Sequence, residues 1–346
     1  MKLKTFGDWK RVIRKLGYPE TPRAKRRVPP GIAARYGSGA ETKLGHVRNI
    51  STSGIFLETA DRWPIGKVIQ LRLQREHPTE SPSDLELDVQ VRIVAHGQGG
   101  VGASFLLPEG LDPQLWEAVV DHMDVEPEPE HVAFIFRLVR TILFVCRLCP
   151  TGSQEVIQNL GKGLDASRTE TAIQIALGAE KLLARDSSGN TNRCHPHIVA
   201  SILKDGSWTN DGILRQLWSG LLASSCTPDG TDESNFTFVE LLVQVTINQS
   251  RIFVTACRDA KSANGETTSK EVVITPEEIM GITGVTDFYR NATDVSYLFQ
   301  FGLVKKEFDF TSYTPKDLVD ITPSSLGLKL FDLCRGDLLP AGLASR

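Results

Sequence analysis

The 346-residue sequence lacks an uninterrupted apolar run long enough to cross a membrane. Its best candidate, residues 132–149, is broken by Arg137, Arg140 and Arg147. Each arginine would cost about 2.5–3.5 kcal/mol near a bilayer centre. On a helix the three fall within about 80° of one another. That predicts a polar stripe on a packed or self-associating helix, with an interfacial helix as the second reading.

Cysteine is sparse, and Cys146, Cys149, Cys194, Cys226, Cys257 and Cys334 are scattered. Cys146-x-x-Cys149 has no second pair at metal spacing, and Cys194-His195-Pro196-His197 reads as a loop before a helix rather than a zinc site. No Gly-rich phosphate loop is present, and no Ser–His or Cys–His set exceeds what composition supplies, which argues against an enzyme. The first residues, Met1 to Trp9, have no apolar leader stretch. With scattered thiols, the expectation is a reducing cytoplasm.

The chain is too long for one ordinary core, so two domains are expected. A net charge of −3 hides an asymmetry. Residues 1–48 carry thirteen Lys and Arg against three acids, a net of +10, leaving −13 for the remainder. A basic head on an acidic body predicts an anionic partner at the N-terminal end.

Residues 1–19 form a basic arm. Phe6, Trp9, Ile13 and Leu16 follow helical spacing, so the arm is expected to dock on the protein's own core, or else on an anionic membrane surface. From about residue 29 the period changes to two. Leu85, Leu87, Val89, Val91 and Ile93 alternate with Glu86, Asp88, Gln90 and Arg92, and Ile69, Leu71 and Leu73 alternate likewise. Turn residues separate about six such strands between 31 and 107, which predicts an antiparallel barrel or sandwich.

Asp112-Pro113 then opens a helix as N-cap and first-turn proline. Residues 125–130, Val-Glu-Pro-Glu-Pro-Glu, read as a linker between a unit at 20–124 and a mostly helical one at 131–346. Capping boxes are expected at Ser167-x-x-Glu170 and Thr275-x-x-Glu278, and Thr322-Pro323 is expected to start the last helix. Short strands at 303–310 and 318–321 would complete a winged-helix-like order from Thr275 to Cys334.

One two-part motif carries chemistry. Arg23-Ala-Lys-Arg26-Arg27 is followed, after a proline pair, by Asn49-Ile-Ser51-Thr-Ser-Gly54. In this order, inside an all-β stretch, the two parts resemble the RxxxR and [D/N]xSxxG pattern of the PilZ family over about ninety residues. The resemblance implies a six-stranded antiparallel β-barrel that binds cyclic di-GMP as a ligand, with no resident cofactor or metal. Arg23 and Arg27, with Arg26 beside them, can fork onto phosphate oxygens or a guanine O6/N7 edge, which lysine could not reproduce. Asn49 and Ser51 would share one side of a strand and bond a guanine edge. Gly54 clears a side chain where backbone must approach closely.

Farther on, the segment Ile198 to Leu203, Trp208 to Ser225, Phe238 to Leu242 and Gln249 to Phe253 resembles the abortive-infection alpha family. That implies a helical effector module, tied to phage defence, with no catalytic residues to carry over.

The function expected from all this is a cytoplasmic cyclic di-GMP receptor relaying to a helical output domain. Its further partner would be a protein or a second copy of the chain, reached through the helices. The alternatives are a transcription regulator acting through the winged-helix-like end, or an adaptor without ligand. Residues 272–334 hold five basic against nine acidic residues, a net of −4 that would repel phosphates and argues against DNA.

Overall fold

A computed structural model of the chain describes residues 31–37, 42–75, 86–108, 111–122, 130–185, 192–261, 270–306 and 318–335. The basic arm, the Arg23–Arg27 segment and most of the expected linker lie outside the described residues.

The period-two stretch forms six strands: β1 (Ile32–Tyr36), β2 (Lys43–Ile50), β3 (Gly54–Glu58), β4 (Val68–Arg75), β5 (Leu87–Gly97) and β6 (Gly100–Phe105). They close into an antiparallel barrel in the order β1-β2-β3-β6-β5-β4. The alternation decides which side faces in: Leu87, Val89, Val91 and Ile93 are buried, whereas Gln90 and Arg92 are exposed. A register shift between Val47 and Asn49 marks a bulge in β2.

Helix α1 (Pro113–His122) follows the barrel, with the Asp112 carboxylate accepting from the Gln114 N–H at 2.8 Å. It lays Trp116 edge-on against Phe105, with ring centroids 4.9 Å apart. Helix α2 (Glu130–Leu148) starts inside the last residue of the expected linker. The apolar core continues without a break from the barrel through α1 and α2 into the helices beyond.

After α2 come α3 (Ser153–Gly163), α4 (Ala166–Arg185), α5 (Pro196–Gly206), α6 (Gly212–Ser224), α7 (Phe236–Gln244) and α8 (Ile247–Ala260). The chain ends with β7 (Val273–Ile274), α9 (Pro276–Thr283), α10 (Phe288–Gln300), β8 (Val319–Asp320) and α11 (Ser325–Leu333). Eleven helices therefore follow the barrel among the described residues. None is long and apolar enough to cross a membrane.

The arginine stripe of α2 faces the chain's own carboxylates. Arg137 pairs with Glu170 at 3.2 Å and Arg140 with Glu180 at 2.7 Å, both on α4. Arg147 reaches Glu180 at 2.9 Å and Asp88 of β5 at 3.0 Å. Asp88 in turn takes a forked pair of bonds from Arg72 of β4, at 2.7 and 3.0 Å. One chain of charge thus runs from the barrel wall to α4.

Several local expectations need correction. The cap of α4 is Asp165, whose side chain accepts from the Arg168 N–H at 2.9 Å, not Ser167. A carboxylate interacts better with the positive end of the helix than a hydroxyl does. The last helix is capped by Ser324 rather than begun at Thr322, whose hydroxyl instead accepts from the Val272 N–H. The Thr275–Glu278 capping box is present with both of its bonds.

The strand expected at 303–310 is, in its described part, a turn and one bridge from Val304 to Pro323. Strand β8 pairs with β7, which precedes both helices. Residues 307–317, where the wing of a winged helix would lie, are outside the described residues, so that end carries no winged-helix assignment.

Helix α11 seats by backbone contact. A Cβ on Gly220 of α6 would overlap the Cys334 carbonyl, so only glycine lets the two approach. Phe331 meets Phe253 edge-on at 6.3 Å in the same seam.

Candidate functional site

The second half of the motif sits on the hairpin joining β2 to β3. Thr52 and Ser53 are its two-residue tip, closed by the Ser51 N–H donating to the Gly54 carbonyl at 2.8 Å. The Ser51 hydroxyl lies 3.2 Å from that same carbonyl and 3.2 Å from the Ser53 hydroxyl. Asn49, half-buried and opposite Phe56 in the register, makes no side-chain hydrogen bond among the described residues.

Two contacts fix the hairpin from behind. The Trp116 indole N–H donates to the Thr52 carbonyl at 2.9 Å, so α1 grips the tip. The Phe105 N–H donates to the Ser53 carbonyl at 3.0 Å. Gly54 is explained by the barrel itself: a Cβ there would lie 2.5 Å from the Ala103 carbonyl oxygen. Its missing side chain lets β3 and β6 pair, which is a reason independent of any ligand.

Arg48, next to Asn49, is already committed. It bonds Glu58 at 2.6 Å and the Gln98 carbonyl at 3.3 Å, and its guanidinium stands 5.0 Å over the Phe56 ring. Two neighbours that sequence reasoning missed come from the register. Ser104 pairs with Gly54, and Arg92 pairs with Ser104, so the three share one cross-strand row. Period-two alternation shows that Arg92 faces outward. Only the pairing of β5 with β6 reveals what it stands beside.

Arg23, Arg26 and Arg27 are outside the described residues, so the two halves of the motif are seen together only in sequence. Connectivity still bounds their separation. Strand β1 begins at Ile32 with Ala33 opposite His46, three residues before Asn49. Arg27 precedes Ile32 by five residues, a reach of at most about 18 Å even when fully extended.

The Cys146 and Cys149 thiols form no disulfide. Both thiols are free, and burial raises both, that of Cys149 to about 12. Among the described residues no cluster of His, Cys, Asp and Glu is arranged to hold a metal ion.

Fold and site together define a small antiparallel barrel with a polar hairpin on its outer wall, coupled by ion pairs to a helical body. Comparison with known families finds a different family model in each of these two parts of the chain. Residues 21–119 match the model of the PilZ domain, a ligand-binding rather than catalytic type of module that binds cyclic di-GMP. Residues 168–322 match the model described as Abortive infection alpha. Both resemblances read from the residues are thereby found. No curated protein matches the chain.

Proposed function

We propose that the chain is a cytoplasmic cyclic di-GMP receptor whose barrel relays ligand binding to a helical output domain with a role in phage defence. The division behind this reading is a barrel unit at 20–124 and a helical unit at 131–346, joined by residues 125–130. The observation that carries it is the direction in which β1 enters the barrel. Its first residues run beside the Asn49 end of β2, and Arg27 is five residues upstream of Ile32, which supports a site shared by the two halves of the motif.

In this reading Arg23 and Arg27, assisted by Arg26, fork onto the ligand's phosphates or a guanine edge. Asn49 and Ser51 bond the guanine, and Gly54 keeps the hairpin flush with β6. The Arg72–Asp88–Arg147–Glu180–Arg140 chain supplies a route outward, because it ties two barrel strands to α2 and α4. The acidic balance of residues 272–334 disfavours the transcription-regulator alternative.

Isothermal calorimetry of the whole protein with cyclic di-GMP tests the proposal. Saturable heat is expected. Arg23→Ala and Arg27→Ala should each weaken binding by about 1.5–3 kcal/mol, roughly 10- to 150-fold, with Tm unchanged. No heat at high ligand concentration would end the receptor reading and leave an adaptor without ligand.

A further inference from the structure

A cleft of about 530 Å³ opens in the helical body, between the end of α5, the start of α6, the α7–α8 junction and α10. That volume is within the range of small-molecule sites. Its apolar wall includes Trp208, Trp218, Val243 and Ile247, and its acids are Asp205 and Asp294. Trp208 is 70% exposed, and Val243 and Ile247 are also solvent-facing. Burying large apolar groups is favourable, so three on one rim form a surface that gains by being covered.

The floor is built around a carboxylate. Asp294 is only 9% exposed, and its Oδ1 accepts from the Gln249 side-chain amide at 3.1 Å. Gln249 is itself immobilised by the capping box of α8: its Oε1 accepts from the Thr246 N–H at 3.0 Å. The other oxygen, Asp294 Oδ2, is buried with no hydrogen-bond partner. An unpaired buried acceptor on a charged group is costly, and positive charge brought into the cleft beside it would offset part of that cost.

Arg290 is the one cation of the lining and does not bond that oxygen. The Trp208 ring already attracts a cation, with the Arg168 guanidinium 3.8 Å from its centroid. Apolar walls, an electron-rich indole and an unsatisfied carboxylate select for positive charge on an apolar body.

We propose that this cleft is a second ligand site, taking a small organic cation: an amine or amidine on an aromatic or alkyl body. The charged head sits beside the Asp294 carboxylate, which lines the cleft, while the body lies against Trp208, Val243 and Ile247. The site is independent of the barrel surface, whose proposed ligand is an anion.

The full-length protein is titrated with benzamidine and, as a neutral isostere, benzamide, following the tryptophan indole signals by NMR. Saturable benzamidine binding on the order of millimolar is expected for a ligand of this size. Benzamide should bind at least tenfold more weakly. Asp294→Asn should remove most of the difference between the two, and Trp208→Ala, at an exposed position, should weaken benzamidine several-fold with the fold intact. If Asp294→Asn does not fold, the isostere comparison and Trp208→Ala decide the matter alone. No saturation by benzamidine, equal binding of the two probes, or benzamidine binding indifferent to Trp208→Ala would overturn the proposal.

Discussion

The barrel and the helical body keep their polar groups in opposite places. On the barrel wall charged residues stand outside and pair across strands, as Arg48 does with Glu58 and Arg72 with Asp88. Among the described residues the buried Ser, Thr, Asn, Gln, Asp and Glu side chains, from Thr141 to Thr322, belong to the helices and their loops, whereas the barrel shields single polar atoms such as Gln74 Oε1. The barrel therefore presents its chemistry on a surface, where a ligand can meet it. The helical body spends much of its polar chemistry internally, where it orients helices and at a few atoms, Thr141 Oγ1 and Asp294 Oδ2 among them, leaves an oxygen unanswered.

Substitutions inside and outside should separate sharply if this contrast is sound. The largest loss is expected at Asn291, only 2% exposed, whose amide donates to the Val285 carbonyl at 2.7 Å and accepts from the Thr283 hydroxyl at 2.9 Å. Asn291→Ala leaves the Val285 carbonyl without its donor, while the Thr283 hydroxyl keeps the Ile279 carbonyl as its acceptor, and should cost about 2–3 kcal/mol, read as a fall in denaturant midpoint.

A middle effect is expected at the junction. Burial favours the neutral form of the Asp88 carboxyl, but the bonds and charges of Arg72 and Arg147 outweigh it and hold the group below the usual carboxylate range. Its stabilising contribution is therefore complete above about pH 4, and is lost as pH falls through the lower folded value. Asp88→Asn should cost about 1–2 kcal/mol at pH 7, discounted for the partial exposure of both arginines. The difference from wild type should shrink toward pH 3. An unchanged gap at low pH would remove Asp88 from the network.

Least should be lost at Arg48→Ala, where both partners are solvated. About 1 kcal/mol or less is expected, screened further by salt. A cost there matching that of Asn291 would break the contrast between the two regions.

The same contrast governs what could be read from the residues. Strand alternation made the barrel legible, and the Asn49–Gly54 hairpin with it, because inward and outward positions differ in kind. Arg92 and Ser104 needed the strand pairing to be noticed, since register is non-local. In the helical body the helices announce themselves by period and caps, yet Gln249, Asn291 and Asp294 look like ordinary surface residues. Nothing local marks a polar residue as interior when its partner lies far away in sequence, as Asp294 lies 45 residues from Gln249. Even caps mislead by a residue or two, as at Asp165, because several good acceptors compete for the same N–H groups.

The glycine seat of α11 also sets a schedule for synthesis. Arg335 and Ser224, which bond across that seam at 3.4 Å, are 111 residues apart. At about 5–20 residues per second, α6 would emerge roughly 5–20 s before the helix that covers it. Throughout that interval the nascent chain carries a bare apolar face awaiting its last piece. The family match stops at residue 322, before α11 begins. A fragment cut to those limits would hold that unfinished state permanently, and would be a candidate for chaperone capture rather than for crystallisation.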